Sequence, residues 1–316
     1  MPKIIEFSSS FRAMNTEVMV IICGADQERR QAEDALVKIK ESFLKVEATL
    51  TRFNLESELS RLNAASGEPF IASEMLFEVV KAALQAAGLT GGIFDPTLLS
   101  KLVRAGYDRS FEKLPQKRPI LSEQSQLNKK AGWQDVFMDE SSSVIRLPQG
   151  IQLDLGGIGK GWTVDQVCLI LKNFPGYAVD AGGDIKVLGR QSDGSAWTVA
   201  VDDPFIEGHD LAELHLTGGA ICTSTSARRR WQMGETWKHH LIDPRTGEPA
   251  NSGVVSATVA AETAMTAEII AKTALILGPE AGRQFVQSQP GAKGLLILED
   301  GRKMQSGGFE ALLKTT

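Results

Sequence analysis

Apolar residues recur at helical spacing across 26–50, where Ala32, Ala35, Leu36, Ile39, Phe43, Val46 and Leu50 share one face. The run TEVMVII at 16–22 reads as a strand ahead of that helix. SELSRLN at 57–63 predicts a short helix opened by a Ser/Glu pair, and 73–88 predicts a second one, capped by Ser73 and ended by Gly88. GGIFDPTLLSKLVRAGYD follows as a Gly-led turn with a short helix behind it. Residues 106–135 are polar, carry Pro115 and Pro119, and read as a surface excursion. Short strands are expected at 135–138, 143–147 and 150–154, then a helix over 160–173 after a Gly-rich turn. Further strands are expected at 177–180, 184–188, 196–201, 212–217 and 219–223, and an irregular basic hairpin at 224–240. A strand at 254–261 leads to a helix at 264–277 stopped by Gly278; a strand at 293–298 and a terminal hairpin close the chain. Clustered strands with irregularly interspersed helices favour an α+β fold over a doubly wound one.

Composition narrows the picture. The chain has 316 residues, 42% of them hydrophobic, with 34 Lys+Arg against 39 Asp+Glu and a net charge of −5. That length buries a large core without disulfides or a structural metal. One domain spanning 1–316, with two lobes and no repeat or linker, is the expected organisation. Mild acidity argues against a nucleic-acid binder, leaving only a local basic patch at Arg228, Arg229 and Arg230. No run of 18 apolar residues provides a membrane span. Cys23, Cys168 and Cys222 sit far apart in apolar runs without metal-ligand spacing, as small buried hydrophobes in a reducing compartment do. MPKIIEFSSSFRAM lacks a leader's apolar region, so a cytoplasmic protein is expected.

Five segments carry candidate chemistry. LDLGGIGKGWTVDQV (153–167) places Gly156, Gly157, Gly159 and Gly161 between an expected strand and a helix. Glycine there permits positive φ and close backbone approach, while Lys160 and the helix N-terminus attract an anion such as pyrophosphate. The spacing matches neither GxxxxGK[ST] nor GxGxxG. VDAGGDIKVLG adds a second glycine pair, Gly182 and Gly183, before the acid Asp184. In KHHLIDPRTGEP, DPRTG is a turn by composition, and His240 just ahead of it is a candidate base or phosphate contact. His239 points the other way in a strand; His209 and His215 read as structural. FDPT reads as an Asx-type turn or a helix cap at Asp95 and Thr97, or as part of a site. Glu268 and Lys272 share a helix face, either as a surface ion pair or as part of a site.

Taken together these segments resemble the ApbE-type FAD:protein FMN transferases. MNTEV (14–18) resembles that family's opening MGT, TRFNLESELSRLN (51–63) its SELSRLN block, and FDPT with GYD (106–108) matches closely. LDLGGIGKGWTVDQV resembles DLGGIAKGYAVD, AGGDI the second glycine pair, and CTSTSARR the ATSGxYxR segment. HLIDPRTGEP resembles HIIDPRTGxP, and TAEIIAKTALILG (266–278) resembles ADALATALFVLG. The resemblance implies an α+β, T-fold-like architecture: mixed or antiparallel sheets with flanking helices, two lobes around an FAD cleft. It implies Mg²⁺-assisted transfer of FMN from FAD to a Thr or Ser hydroxyl of an acceptor flavoprotein, with AMP leaving. By position it implies that Met14, Phe53, Ser57, Glu58, Asp95, Thr97, Asp154, Gly156, Gly157, Lys160, Asp165, Gly182, Gly183 and Thr223 bind the cofactor. His240, Lys160, Asp243, Arg245 and Lys272 take the catalytic positions, and the Gly159 carbonyl and Glu268 take the metal positions.

The metal helix departs from the family pattern. Where the family has Asp and Thr four residues apart, this chain has Glu268 and Lys272. Glu is one methylene longer and can ligate, whereas a protonated Lys cannot. Thr273 lies about 140° around the helix from Glu268 and does not restore the pair. Asn15 and Thr225 replace family glycines, and Ala227 replaces a common Tyr. Three functions stay open on the sequence: a transferase with an altered metal site, an FAD-binding relative without transferase activity, and an FAD pyrophosphatase giving FMN and AMP.

Overall fold

The computed structural model describes residues 3–118 and 131–313. Pro119 and the middle of the 106–135 excursion lie outside the described residues. The chain divides into two compact units: residues 1–45, 160–225 and 252–316 form the first, and residues 46–159 and 226–251 the second.

The first unit is built on an eight-stranded sheet. Its strands are β1 (Ile4–Ala13), β2 (Thr16–Ala25), β3 (Gly176–Ala181), β4 (Asp184–Leu188), β5 (Gly218–Thr225), β6 (Val254–Ala261), β7 (Lys293–Leu298) and β8 (Lys303–Ser306). They lie side by side in chain order, each antiparallel to the next. Alternation sets the two faces. Phe7, Phe11, Val18, Val20, Ile22, Val179, Ala220 and Cys222 point to one side. There they meet Ala32, Ile39 and Phe43 of α1 (Arg29–Leu50), Val164 and Val167 of α2 (Gly159–Cys168), and Ala264 and Ala267 of α3 (Ala264–Leu277). Val187, Ile221, Ala260, Leu295 and Ile297 point to the other side, against Trp197, Val199, Leu214 and Leu216 of a two-stranded ribbon and against Phe309. A sheet buried on both faces explains the unbroken apolar run in β2.

Two tight turns shape the edge of this sheet. Met14 and Asn15 join β1 to β2 with φ of 52° and 59°, the left-handed pair that a two-residue hairpin requires. Asn enters that region more readily than other non-glycine residues, which accounts for Asn15 at a family glycine position. Gly182 and Gly183 join β3 to β4 in the same way, with φ of 66° and 92°. A Cβ on Gly182 would fall 1.9 Å from Thr16 Oγ1.

The second unit holds helices Glu58–Ala64, Glu74–Leu89 and Leu99–Arg104, with small sheets between them. Ser57 and Ser73 cap the first two helices through their hydroxyls. Leu98, Leu102, Tyr107, Trp231, Met233 and Ile242 make a core here.

Several expectations need correction. β1 was not foreseen as a strand. The helix at 160–173 ends at Cys168, and the chain then tightens into i,i+3 turns up to Phe174, ahead of Pro175. The second helix runs to Leu89 with Thr90 as its C-cap, one residue past Gly88. No strand forms at 150–154, because the Asn63 amide holds both backbone groups of Leu153, at 2.7 and 2.9 Å, and leaves it no neighbouring strand. The 106–135 excursion is not wholly superficial: Tyr107 is buried, and the Arg118 guanidinium binds the Gly106 carbonyl and Asp108. The basic segment at 224–240 does form a hairpin, pairing Arg230–Met233 with Thr236–His239.

Candidate functional site

In the first unit, α2 and α3 bring charged side chains over the helix-covered face of the sheet. Asp184 opens β4 directly across from Cys222 of β5, so both side chains point toward that face. The Lys160 ammonium, at the start of α2, donates to Asp184 Oδ2; the Asp184 side chain is only 3% exposed. Glu268, one turn into α3, is equally enclosed. Its Oε2 accepts the Gly161 N–H at 3.1 Å, and its Oε1 lies 3.9 Å from Lys160 Nζ and 3.8 Å from Lys272 Nζ. Lys160, Asp184, Glu268 and Lys272 thus form one buried cluster of two ammonium and two carboxylate groups.

Glycine works differently here from the sequence expectation. None of Gly156, Gly157, Gly159 and Gly161 has positive φ. Gly161 is required by space: a Cβ would lie 2.8 Å from Ala264 O, Met265 Cα and Met265 N. Absence of a side chain lets α2 approach the first turn of α3 and lets the Gly161 N–H reach Glu268.

Asp165 has an anchoring task. Its carboxylate accepts the N–H groups of Ala264 at 3.0 Å and Met265 at 2.9 Å, and pairs with Lys186 at 2.6 Å. Thr263 accepts the Thr266 N–H, so internal acceptors serve three N–H groups at the start of α3. Cys222 Sγ donates to the Ala264 carbonyl, and burial pushes its thiol well above the ordinary range. Asp180 Oδ1 accepts the Gly183 N–H at 2.9 Å, and burial raises its carboxyl pKa. Met14 packs against the helix-side core, while Thr223 shares the opposite face with Ile221 and pairs with Thr258 across the strands at 2.8 Å.

In the second unit the centre is Arg52. Its guanidinium donates to Asp154 Oδ2 at 2.5 Å and to the Tyr107 carbonyl at 2.8 Å, and lies over the Phe53 and Tyr107 rings at 4.3 and 4.7 Å. Asp154 also accepts the Gly156 N–H at 3.0 Å. Tyr107 stacks on Trp231 at 5.5 Å and meets Phe53 and His240 edge-on at 5.9 and 6.5 Å. Burial raises the Tyr107 hydroxyl pKa. Phe53 is 42% exposed and presents an aromatic face. His239 is structural: Leu241 N–H donates to its Nδ1, so Nε2 carries the hydrogen and donates to the Ala250 carbonyl at 2.9 Å. Burial lowers its pKa. His240, the expected site histidine, meets the Tyr107 ring edge-on.

Other expected contacts have local partners. Ser57 Oγ accepts Ser60 N–H and donates to the Thr51 carbonyl. Both oxygens of Glu58 hold Ser73, at 2.6 Å each. Asp95 Oδ1 takes the Thr97 N–H and hydroxyl, the Asx-type turn expected of FDPT. Asp243 makes a fork with Arg245, its Oδ2 2.7 Å from Nη2. Burial pushes the Asp243 carboxyl up, and the Arg245 guanidinium and backbone N–H more than offset it. Arg245 remains about half exposed. Arg52, Tyr107 and Asp184 were not among the expected site residues, although each lies inside a segment that carries the resemblance.

The donor set does not fit a divalent cation. Among the described residues no group of three or more His, Cys, Asp or Glu side chains is arranged to hold a metal. The carboxylate at the expected metal position, Glu268, has one oxygen committed to Gly161 and the other facing two ammonium groups. Thr273 is fully buried, its Oγ1 has no hydrogen-bond partner among the described residues, and it lies about 140° around the helix from Glu268, off the face that the missing ligand would occupy.

Comparison with known proteins agrees with the resemblance. The sequence model of the ApbE family matches residues 14–296. The FAD:protein FMN transferase of Vibrio cholerae is 32% identical over 247 residues, covering 76% of this chain and 72% of that protein. The crystal structure of the ApbE protein from Thermotoga maritima superposes with a TM-score of 0.85 at 26% identity, covering 98% of this chain and all of that one. The flavin transferase ApbE from Vibrio cholerae superposes with a TM-score of 0.81 at 27% identity, again over 98% of this chain and all of that one.

Proposed function

This chain belongs to the ApbE family, and from that premise we infer that it transfers FMN from FAD to a hydroxyl of a partner protein and releases AMP. The observation that carries the reading is the family match across 14–296, which contains every segment that builds the two charged clusters. In the reaction, the acceptor oxygen bonds to the phosphorus of the FMN half. The bridging P–O bond breaks, and its electron pair leaves with AMP. Such a transfer needs charge neutralisation and alignment more than covalent help from the protein.

The side chains suit those tasks. Lys160 and Lys272 supply positive charge for phosphate oxygens; Glu268 and Asp184 hold the two lysines in place. Arg52 locks Tyr107 and Asp154, and the exposed face of Phe53 suits stacking on a planar ring. His240 is the candidate acceptor for the proton that the attacking hydroxyl loses. Asp243 and Arg245 stiffen the turn that follows it. The acceptor is a Thr or Ser hydroxyl in a flavoprotein, and Mg²⁺, which the resemblance implies, finds no matching donor set among the described residues. We place the protein in the cytoplasm, a reading supported by three unpaired, buried cysteines. Among the described residues no helix is long and apolar enough to cross a membrane.

The test is incubation of the purified protein with FAD and an acceptor domain bearing a flavinylated-type Thr motif. Acceptor mass should rise by one FMN, with an equal amount of AMP. FMN and AMP without acceptor labelling would make the protein a pyrophosphatase, and FAD returned intact would remove the enzymatic reading.

A further inference from the structure

We propose that the Lys272 ammonium, together with Lys160, takes the place of the divalent cation, so that this chain carries out its phosphoryl transfer without a metal. The proposal rests on the transferase reading and deepens it by specifying what neutralises the pyrophosphate. It comes from the buried cluster of the first unit. Glu268 Oε1 is 3.9 Å from Lys160 Nζ and 3.8 Å from Lys272 Nζ, and its Oε2 accepts the Gly161 N–H. The Lys272, Lys160 and Glu268 side chains are 15%, 16% and 6% exposed, so solvent screens them little.

A magnesium ion binds carboxylate oxygen at about 2.0–2.1 Å. Placed on Glu268 Oε1, it would lie no more than about 6 Å from either ammonium, in a poorly screened pocket. Mg²⁺ also needs close to six oxygen ligands, and one carboxylate flanked by two cations is a poor start. Lysine, by contrast, binds phosphate as a compact point charge with three donors. Without a metal, the two lysines balance Glu268 and Asp184. A neutral residue in place of Lys272 would leave the cluster with a net negative charge, which opposes a pyrophosphate. Lys272 therefore restores part of the charge that a divalent ion would bring. Its i,i+4 partner, Glu268, fixes its direction on α3.

The experiment has a binding arm and an activity arm. Mn²⁺ is titrated into wild type, Lys272→Thr and Glu268→Asp/Lys272→Thr, each with and without FAD, and free Mn²⁺ is followed by electron paramagnetic resonance. Wild type is expected to bind no stoichiometric Mn²⁺, and the double variant to bind about one ion at least 10-fold more tightly. In the activity arm, wild-type FMN transfer should be unchanged by EDTA, while transfer by the double variant should require the metal. One tightly bound Mn²⁺ on wild type, or loss of wild-type transfer in EDTA, would overturn the proposal. If the double variant does not fold, the wild-type arms and Lys272→Thr still decide. Absence of FMN transfer under every condition would sink the transferase reading, and the wild-type Mn²⁺ titration would still judge the site.

Discussion

Replacing Gly161 by Ala tests the close approach on which the charged cluster depends. The added Cβ would lie 2.8 Å from three backbone atoms of α3, where ordinary contact begins at 3.4 Å. Backbone cannot swing aside as a flexible side chain does, so α2 and α3 must separate by about 0.6 Å, the difference between those distances. Overpacking of this kind costs about 1–3 kcal/mol. Alanine's better helix propensity returns about 0.5–1 kcal/mol. Gly159→Ala supplies the control, because its Cβ would meet only Leu50 Cδ1, at 3.9 Å. The difference between the two variants isolates the contact, and it should be about 1–3 kcal/mol. At roughly 2–4 °C per kcal/mol for a chain of this size, Gly161→Ala should melt several degrees below Gly159→Ala in differential scanning calorimetry. FMN transfer should fall with it, since the separation stretches the Gly161–Glu268 hydrogen bond. Equal melting temperatures for the two variants would refute the reasoning, for then neither the approach nor its rigidity would be as described.

Two other perturbations follow from the second unit. The Arg118 hydrogen bonds hold the Asp108 carboxyl well below its usual range, burial opposes them, and Arg109 adds to the lowering. Its folded pKa lies below the unfolded value of about 3.9, so the stabilisation is present above about pH 4 and lost as pH falls below it. Asp108→Asn should therefore cost about 1–3 kcal/mol in urea unfolding at pH 7, with the gap narrowing from pH 4 toward pH 2; a gap independent of pH would exclude the ion pair as its origin. Arg52→Lys keeps the charge but cannot reach both Asp154 and the Tyr107 carbonyl or lie flat over two rings. A loss of about 2–4 kcal/mol in the free energy of urea unfolding and a fall in FMN transfer are expected, and near-wild-type values for both would remove Arg52 from the centre of the unit.

Much of the architecture was legible where a local signal and the tertiary demand agreed. Strand 254–261 and helix 264–277 appear at their expected bounds, because Thr263 caps the helix and Gly278 ends it with φ of 92°. β1 escaped notice because Ser9 stands between Phe7 and Phe11 on the inward face and interrupts the apolar alternation. The false strand at 150–154 failed because its pairing partner is a side chain from residue 63, which no local pattern discloses. Gly161 was singled out for positive φ and for close backbone approach to a ligand; its φ is not positive, and what approaches closely is the backbone of α3. Glu268 and Lys272 were readable as neighbours from i,i+4 spacing, but Asp184 joins them only through the β4–β5 register and Lys160. Arg52 and Tyr107 show the same limit: their partners at Asp154 and Trp231 are far away in sequence.

The chain-order sheet has a consequence for how the protein forms. β1 and β2 close through Met14 and Asn15, but β2 meets β3 only across residues 26–175. Closing a loop of that length costs about 4 kcal/mol more entropy than closing a two-residue hairpin. Strands β3 to β8 all lie within 176–306, so their pairings accumulate over shorter separations. The first hairpin made is therefore among the last to find its place. On a ribosome adding about 5–20 residues per second, the Val18–Cys23 run waits roughly 8–30 seconds for its β3 partner. Throughout that interval β2 offers an apolar edge to any passing strand, and the nascent chain's exposure to aggregation is concentrated there.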